Sequence, residues 1–162
     1  MEDSRDALIK MVDENIKKHG RMVLSIMGTP GSNREYPYAY SIGHAEKGNP
    51  ELMLTSLGGD TATYLVNAAA NELAKRNWKV EAEDRIQLEN VAIRFIAAPG
   101  FEDEARGAQH RARTKNAQNL SFLQILWPDT SGLFPDEEGY DHLTFPQPIW
   151  QHEQEKVRNG IN

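Results

Sequence analysis

Arg106, His110 and Arg113, spaced four and three residues apart, form a cationic stripe. On a helix that spacing stacks them on one face, and guanidinium forks grip phosphate or carboxylate through paired N–H donors. The same segment follows Glu102, Asp103 and Glu104, so acid first and base last also reads as plain complementation of a helix dipole. A second group is His19, Tyr38, Tyr40, Ser41 and His44. Histidine exchanges protons near neutral pH, and these five residues in one pocket would set acid–base groups beside hydroxyls; separate surface histidines are the plainer alternative. Gln124 is the one amide in the apolar stretch 122–127. Once buried it has to be hydrogen-bonded, to backbone, to the long loop that follows or to a ligand. The candidate ligand-binding set is therefore His19, Tyr38, Tyr40, Ser41, His44, Arg106, His110, Arg113 and Gln124.

Other motifs carry less. Leu57-Gly58-Gly59-Asp60-Thr61 places a flexible turn before a helix, where free N–H groups attract anions, but a carboxylate at Asp60 repels phosphate and reads as the helix cap. Gly28-Thr29-Pro30-Gly31-Ser32 lacks the closing Lys of a phosphate-binding loop, and Pro30 removes a donor. Asp129, Asp136, Glu137, Glu138, Asp141 and His142 offer oxygen ligands in one loop, yet Phe134 stands where a calcium loop starting at Asp129 needs glycine. Asp129 reads as a turn residue bonding its own backbone, and no metal site is expected. Zinc-protease, nucleophile-elbow and dinucleotide fingerprints are absent.

These residues need elements to hold them. Leu8, Met11, Val12 and Ile16 recur at helical spacing after Ser4 and before Lys17, Lys18, His19 and Gly20, which predicts the first helix. Residues 22–27 read as a buried strand. Over 36–43 the alternation is strict, with Tyr36, Tyr38, Tyr40 and Ile42 on one side and Pro37, Ala39, Ser41 and Gly43 on the other. The bare side admits a packed helix or a ligand. Residues 52–57 form the third strand, Asp60 caps a helix running to Lys75 and Arg76, 85–88 and 91–96 form a hairpin, a helix runs from 102 to about 118, and 120–127 is the last strand. The stretch 128–148 is expected as ordered loop, because Leu133, Phe134, Tyr140, Leu143, Phe145, Ile149 and Trp150 need burial. The order predicts an α+β fold, a mostly antiparallel sheet that is split-barrel-like if it closes, flanked by about three helices, in one domain over 1–150 with a polar tail at 151–162.

Composition limits what such a domain does. The chain has 162 residues, 39% hydrophobic and 26% charged, with no cysteine and a formal net charge of −6. Thiolate catalysis, disulfides and thiolate metal sites are excluded, and the negative balance argues against generic nucleic-acid binding. No apolar run approaches the ~18 residues of a membrane span, and the acidic start is unlike a secretory leader. A cytoplasmic address is expected, and exposed sheet edges leave a homo-oligomer open.

The blocks Tyr38-Ala39-Tyr40-Ser41-Ile42-Gly43, Asn49-Pro50-Glu51-Leu52 and Gln124-Ile125-Leu126-Trp127-Pro128-Asp129 come in that order, followed by Gly132 and Phe134-Pro135. With His19-Gly20 before them and Gln147-Pro148 after, they resemble an uncharacterised bacterial and phage family, domain of unknown function 4262, over about residues 15–150. Arg21 stands where that family frequently has an aromatic, and 106–115 is more basic than its counterpart. The resemblance implies kinship and no particular reaction. A fold-level likeness links residues 22–76 to flavin-binding split barrels, which implies FMN and an oxidoreductase. The leading expectation is a small binding or regulatory protein that holds an anionic, nucleotide-like molecule between 36–43 and 106–113. A protein-interaction module, such as a phage inhibitor of a host system using Trp127, Trp150 or the tail, is the third reading.

Overall fold

The computed structural model describes residues 4–31, 35–105 and 120–152. Helix α1 (Ser4–His19) carries Asp6 in its first turn and Lys17, Lys18 and His19 in its last, complementing the helix dipole. Gly20 ends it at φ +84°, donating its N–H to the Ile16 carbonyl. Strands β1 (Met22–Ile26), β2 (Tyr38–Ile42) and β3 (Glu51–Thr55) follow, then α2 (Gly59–Lys75), the hairpin of β4 (Ile86–Gln87) and β5 (Ala92–Ala97), the single turn α3 (Phe101–Glu104) and β6 (Phe122–Leu126). The sheet runs β1-β2-β3-β6-β5-β4, and β3 with β6 is its parallel pair. It is an α+β fold on a mostly antiparallel sheet, as the pattern predicts. The split-barrel form does not hold, because the sheet is open, with β1 and β4 as its outer strands.

Three local expectations change for identifiable reasons. The second strand begins at Tyr38 rather than 36, following Pro37, which has no N–H to give a ladder. The third ends at Thr55 because Ser56 turns left-handed at φ +69° and donates its N–H to the Pro37 carbonyl. Helix α2 is capped by Gly58 rather than Asp60, and Ser25 Oγ on β1 accepts the Gly59 N–H at 3.0 Å. Asp60 is left in the first turn, where its charge faces the positive end of the dipole.

Both faces of the sheet are buried. Helix α2 lays Ala62, Leu65, Val66, Ala69, Ala70 and Leu73 over Ala39, Leu52, Leu54, Ile93, Phe95 and Ile125, so the bare side of β2 admits a helix. The bulky side is core as well: Tyr40, Ile42, Met53 and Phe122 pack against Val12 and Ile16 of α1, Phe101 and Trp150. The loop after β6 is ordered and buries Phe134, Tyr140, Ile149 and Trp150. Leu143 departs from the expectation at 94% exposed, carried outward by a turn in which Asp141 accepts the Thr144 and Phe145 N–H groups. Asp129 is the expected turn residue, its Oδ1 accepting from the Ser131 and Leu133 N–H groups.

Gln124 fastens this loop to the sheet. Its Oε1 accepts the Trp150 N–H at 2.8 Å, and its Nε2 donates to the Pro148 carbonyl at 2.9 Å. The indole N–H groups of Trp127 and Trp150 bond the Thr55 and Pro99 carbonyls. The two tryptophans therefore help to hold the loop. Replacing Gln124 with Leu keeps the volume but strands the buried Trp150 N–H, at about 1–3 kcal/mol, while the Pro148 carbonyl keeps the Thr55 hydroxyl as a donor. Urea unfolding of Gln124→Leu is expected to show a loss of about 1–3 kcal/mol; an unchanged midpoint would refute the fastening role.

Candidate functional site

The link between β2 and β3 is wrapped around one carboxylate. Glu51 opens β3 with no exposure. Its oxygens accept the Ser41 hydroxyl at 2.8 Å and three successive backbone N–H groups, from Gly43 at 3.0 Å and from His44 and Ala45 at 3.1 Å. Consecutive amides converging on an anion form a nest. Ser41 Oγ in turn accepts the Leu52 N–H at 2.9 Å. Gly43 is held at φ +128°, and a Cβ there would meet the Gly20 carbonyl oxygen at 2.9 Å and Arg21 Cα at 3.2 Å. The nest thus presses directly on the link between α1 and β1.

His44 joins the two. Arg21 Nε donates to His44 Nε2 at 2.9 Å. With that nitrogen accepting, the neutral imidazole carries its proton on Nδ1, which faces the Pro50 carbonyl at 3.2 Å and Glu51 Oε1 at 3.3 Å. Trp78 lies against the ring with centroids 4.9 Å apart. It is placed there by two successive left-handed residues, Asn77 at φ +54° and Trp78 at φ +61°, a conformation that costs non-glycine residues energy. Arg21 Nη1 donates to Asn67 Oδ1 on α2 at 3.3 Å.

Charge runs across this chain as a cation, a neutral ring and an anion. Burial, with the Arg21 charge acting in the same direction, drives the His44 pKa down to about 4. Burial raises the Glu51 pKa to about 7, against the pull of the Ser41 hydroxyl and the three nest amides. Burial also lowers Arg21, with the Glu51 charge acting in the opposite direction.

Beyond Arg21 the surface opens into a groove of about 580 Å³. Asn15 and His19 of α1 form one wall, Thr63, Asn67 and Asn71 of α2 the other, and Met22 and Val23 of β1 lie between. Since α1 and α2 pack on opposite faces of the sheet, a cavity touching both runs past the outer edge of β1. The amides retain capacity: Asn15 spends its Nδ2 on the Met11 carbonyl, Asn67 spends its Oδ1 on Arg21, and Asn71 is exposed.

The structure brings some of the expected residues together and separates others. Ser41 and His44 meet, 3.4 Å apart, and His19 lies in the same region, on the groove wall. Tyr38 and Tyr40 do not join them. They stack on each other on the opposite face and meet Phe101 edge-on, because strand alternation sends them away from Ser41. Gln124 is committed to the loop. Arg106, His110 and Arg113, with the helix expected to about 118, lie outside the described residues, as does most of the tail. The sequence gives no site signal for Asn67, Asn71 or Trp78, shows Glu51 only within a family-like block, and shows Arg21 only as a departure from an aromatic. The available signal was a charged residue opening a fully apolar run at Glu51. Among the described residues no group of three or more His, Asp or Glu is placed to hold a metal ion, and no helix is long and apolar enough to cross a membrane.

The fold and site define an α+β domain in which an open sheet carries a half-buried arginine linked through a buried histidine to a buried carboxylate, beside an edge groove. The family model described as domain of unknown function DUF4262 matches residues 15–141, and the chain belongs to that family. Neither the curated proteins nor the solved structures contain a match to it.

The native His44 refuses a proton that the unfolded chain accepts once pH falls below about 6.5. Its contribution to stability is therefore complete above that value and is lost as pH falls toward 4. Glu51 acts with the opposite sign between its ordinary value and about 7, so the informative quantity is a difference between proteins. The destabilisation caused by His44→Gln is expected to shrink between pH 7 and pH 4 in thermal melts. Nitrogen-15 NMR of the imidazole should show an Nδ1–H tautomer titrating near 4; an imidazole titrating at 6.5 would contradict the arrangement.

Proposed function

We propose that the domain is a binding module whose edge groove takes a small anion-bearing molecule, with Arg21 as the residue that grips it. The carrying observation is the posture of Arg21. Its Nε and Nη1 are held by His44 and Asn67, it lines the groove, and its Nη2 makes no hydrogen bond among the described residues. A guanidinium fixed in this way loses little freedom on meeting a paired set of oxygens, which is the condition for bidentate recognition. Asn67 and Asn71 offer amide donors beside it, and His19 offers a further polar group. The volume lies within the ordinary range for small-molecule sites.

The shared chemistry is a carboxylate or phosphate with hydrogen-bonding neighbours, and a nucleotide belongs to that class. This reading retains the anionic ligand expected from the sequence and moves its anchor from the 106–113 segment to Arg21.

Titration calorimetry with AMP, inorganic phosphate and N-acetyl amino acids separates the sources. Arg21→Gln is expected to weaken whichever ligand binds by about 10- to 100-fold, the worth of a charge-assisted hydrogen bond. Asn71→Asp, at an exposed position, adds a like charge to the wall and should weaken binding without lowering the melting temperature. Equal affinities in wild type and both variants would eliminate this site.

A further inference from the structure

We infer that the groove is the docking site for the carboxy-terminus of an extended peptide, which adds to β1 as a further strand and sets its terminal carboxylate on Arg21. The inference rests on the anion-binding reading and narrows it to one ligand class.

Three observations converge. The first is the unpaired edge. Among the described residues β1 pairs with β2 on one side only, so the main-chain groups along its outer edge form a template for another strand. Most small-molecule grooves lack such a floor. Here the cavity walls stand on both faces of the sheet, and between them lie Met22 and Val23, the start of that edge.

The second is polarity. Arg21 immediately precedes β1, and a strand laid antiparallel to β1 reaches Arg21 with its carboxy-terminus. That is also the sense in which β2 already pairs with β1. The terminal carboxylate then meets the fixed guanidinium while the preceding residues run toward Ile26. Five residues of β1 cover about 17 Å, enough for a peptide of about five residues.

The third is chemistry along the path. A peptide terminus is a monoanion, which suits an arginine whose charge is already partly answered by Glu51 through His44; a phosphate dianion asks for more cations. Lys17 and Lys18 in the last turn of α1 make this end of the edge the basic one, in a chain of net charge −6. Gly20 and Arg21 alone connect α1 to β1, so α1 folds back along the strand. Met11 and Leu8, one and two turns before Asn15, are 42% and 41% exposed. At helical spacing they extend from Asn15 along α1 for about 10 Å beyond the groove, where they would offer apolar contact to the upstream side chains of such a peptide.

The test uses the full chain and a positional library of fluorescent, amino-terminally acylated hexapeptides made in two forms, free acid and carboxamide. Anisotropy is expected to show free-acid binders that weaken at least tenfold as carboxamides and at least fivefold against Asn71→Asp. Hydrogen exchange should slow at amides of Met22–Ile26 when a free-acid binder is present. Equal binding of acid and amide, or tight acid binding that leaves the β1 amides unprotected, overturns the inference. Binding of AMP or N-acetyl amino acids that depends on Arg21, with no peptide bound, overturns it while leaving the anion site standing. Binding of none of these removes both readings.

Discussion

The carboxylate of Glu51 is the constraint from which the site geometry follows. A charge with no exposure persists only when donors replace the water it has lost, and this chain supplies them from a single turn. Three consecutive amides point inward only if the backbone at 43–45 curves tightly, and that curvature places Gly43 against Gly20 and Arg21 with no room for a side chain. The same curvature presents the His44 ring toward β1. Without the carboxylate the three amides would be buried and unpaired, at about 1–3 kcal/mol each, and the turn would have no reason to hold its shape. Arg21 is thus positioned by an interaction that lies well behind the groove.

The neutral ring between Arg21 and Glu51 keeps the two charges apart. A direct ion pair would consume the guanidinium and leave little to offer a ligand. An imidazole inserted between them takes one Nε–H from the arginine and directs its own proton toward Pro50 and Glu51, so the positive charge is oriented without being cancelled. Burial favours this state because a charged imidazole next to Arg21 would be doubly disfavoured. Trp78 closes the remaining side of the ring at the expense of two left-handed residues, and strain of that kind persists where the surrounding structure requires a particular placement.

Much of the fold is legible in the sequence because its signals are local. The helical spacing of Val12 and Ile16, the alternation through 38–42 and the hinge at 89–90 each specify an element without reference to the rest. The site is less legible because it is built from non-local contacts. Arg21, His44, Asn67 and Trp78 lie on four separate segments and meet only once α2 has crossed the sheet; no spacing rule links them. Glu51 was in view within a family-like block, but its role depends on the amides of 43–45, which have no side-chain signature. Tyr38 and Tyr40 misled for the opposite reason. Their alternation with Ser41 was read correctly, and that alternation is what places them in the aromatic cluster on the other face.

A sheet buried on both faces restricts where a ligand can be met. Helix α2 covers one face, and α1, Phe101 and Trp150 cover much of the other, leaving the two edges. At one edge β4 is only two residues long, and nearby Arg94 and Arg85 engage Asp136 and Glu137 of the long loop. A short edge beside ion-paired side chains is how a sheet avoids pairing with other chains. The β1 edge is built differently: five residues long, half-buried along most of its length, and walled by helices on both sides. Walls of that kind exclude a flat sheet from another molecule while admitting a single extended segment. The same two helices that protect the edge against aggregation would, in the peptide complex proposed above, supply its selectivity, with the fixed arginine meeting the end of the bound chain.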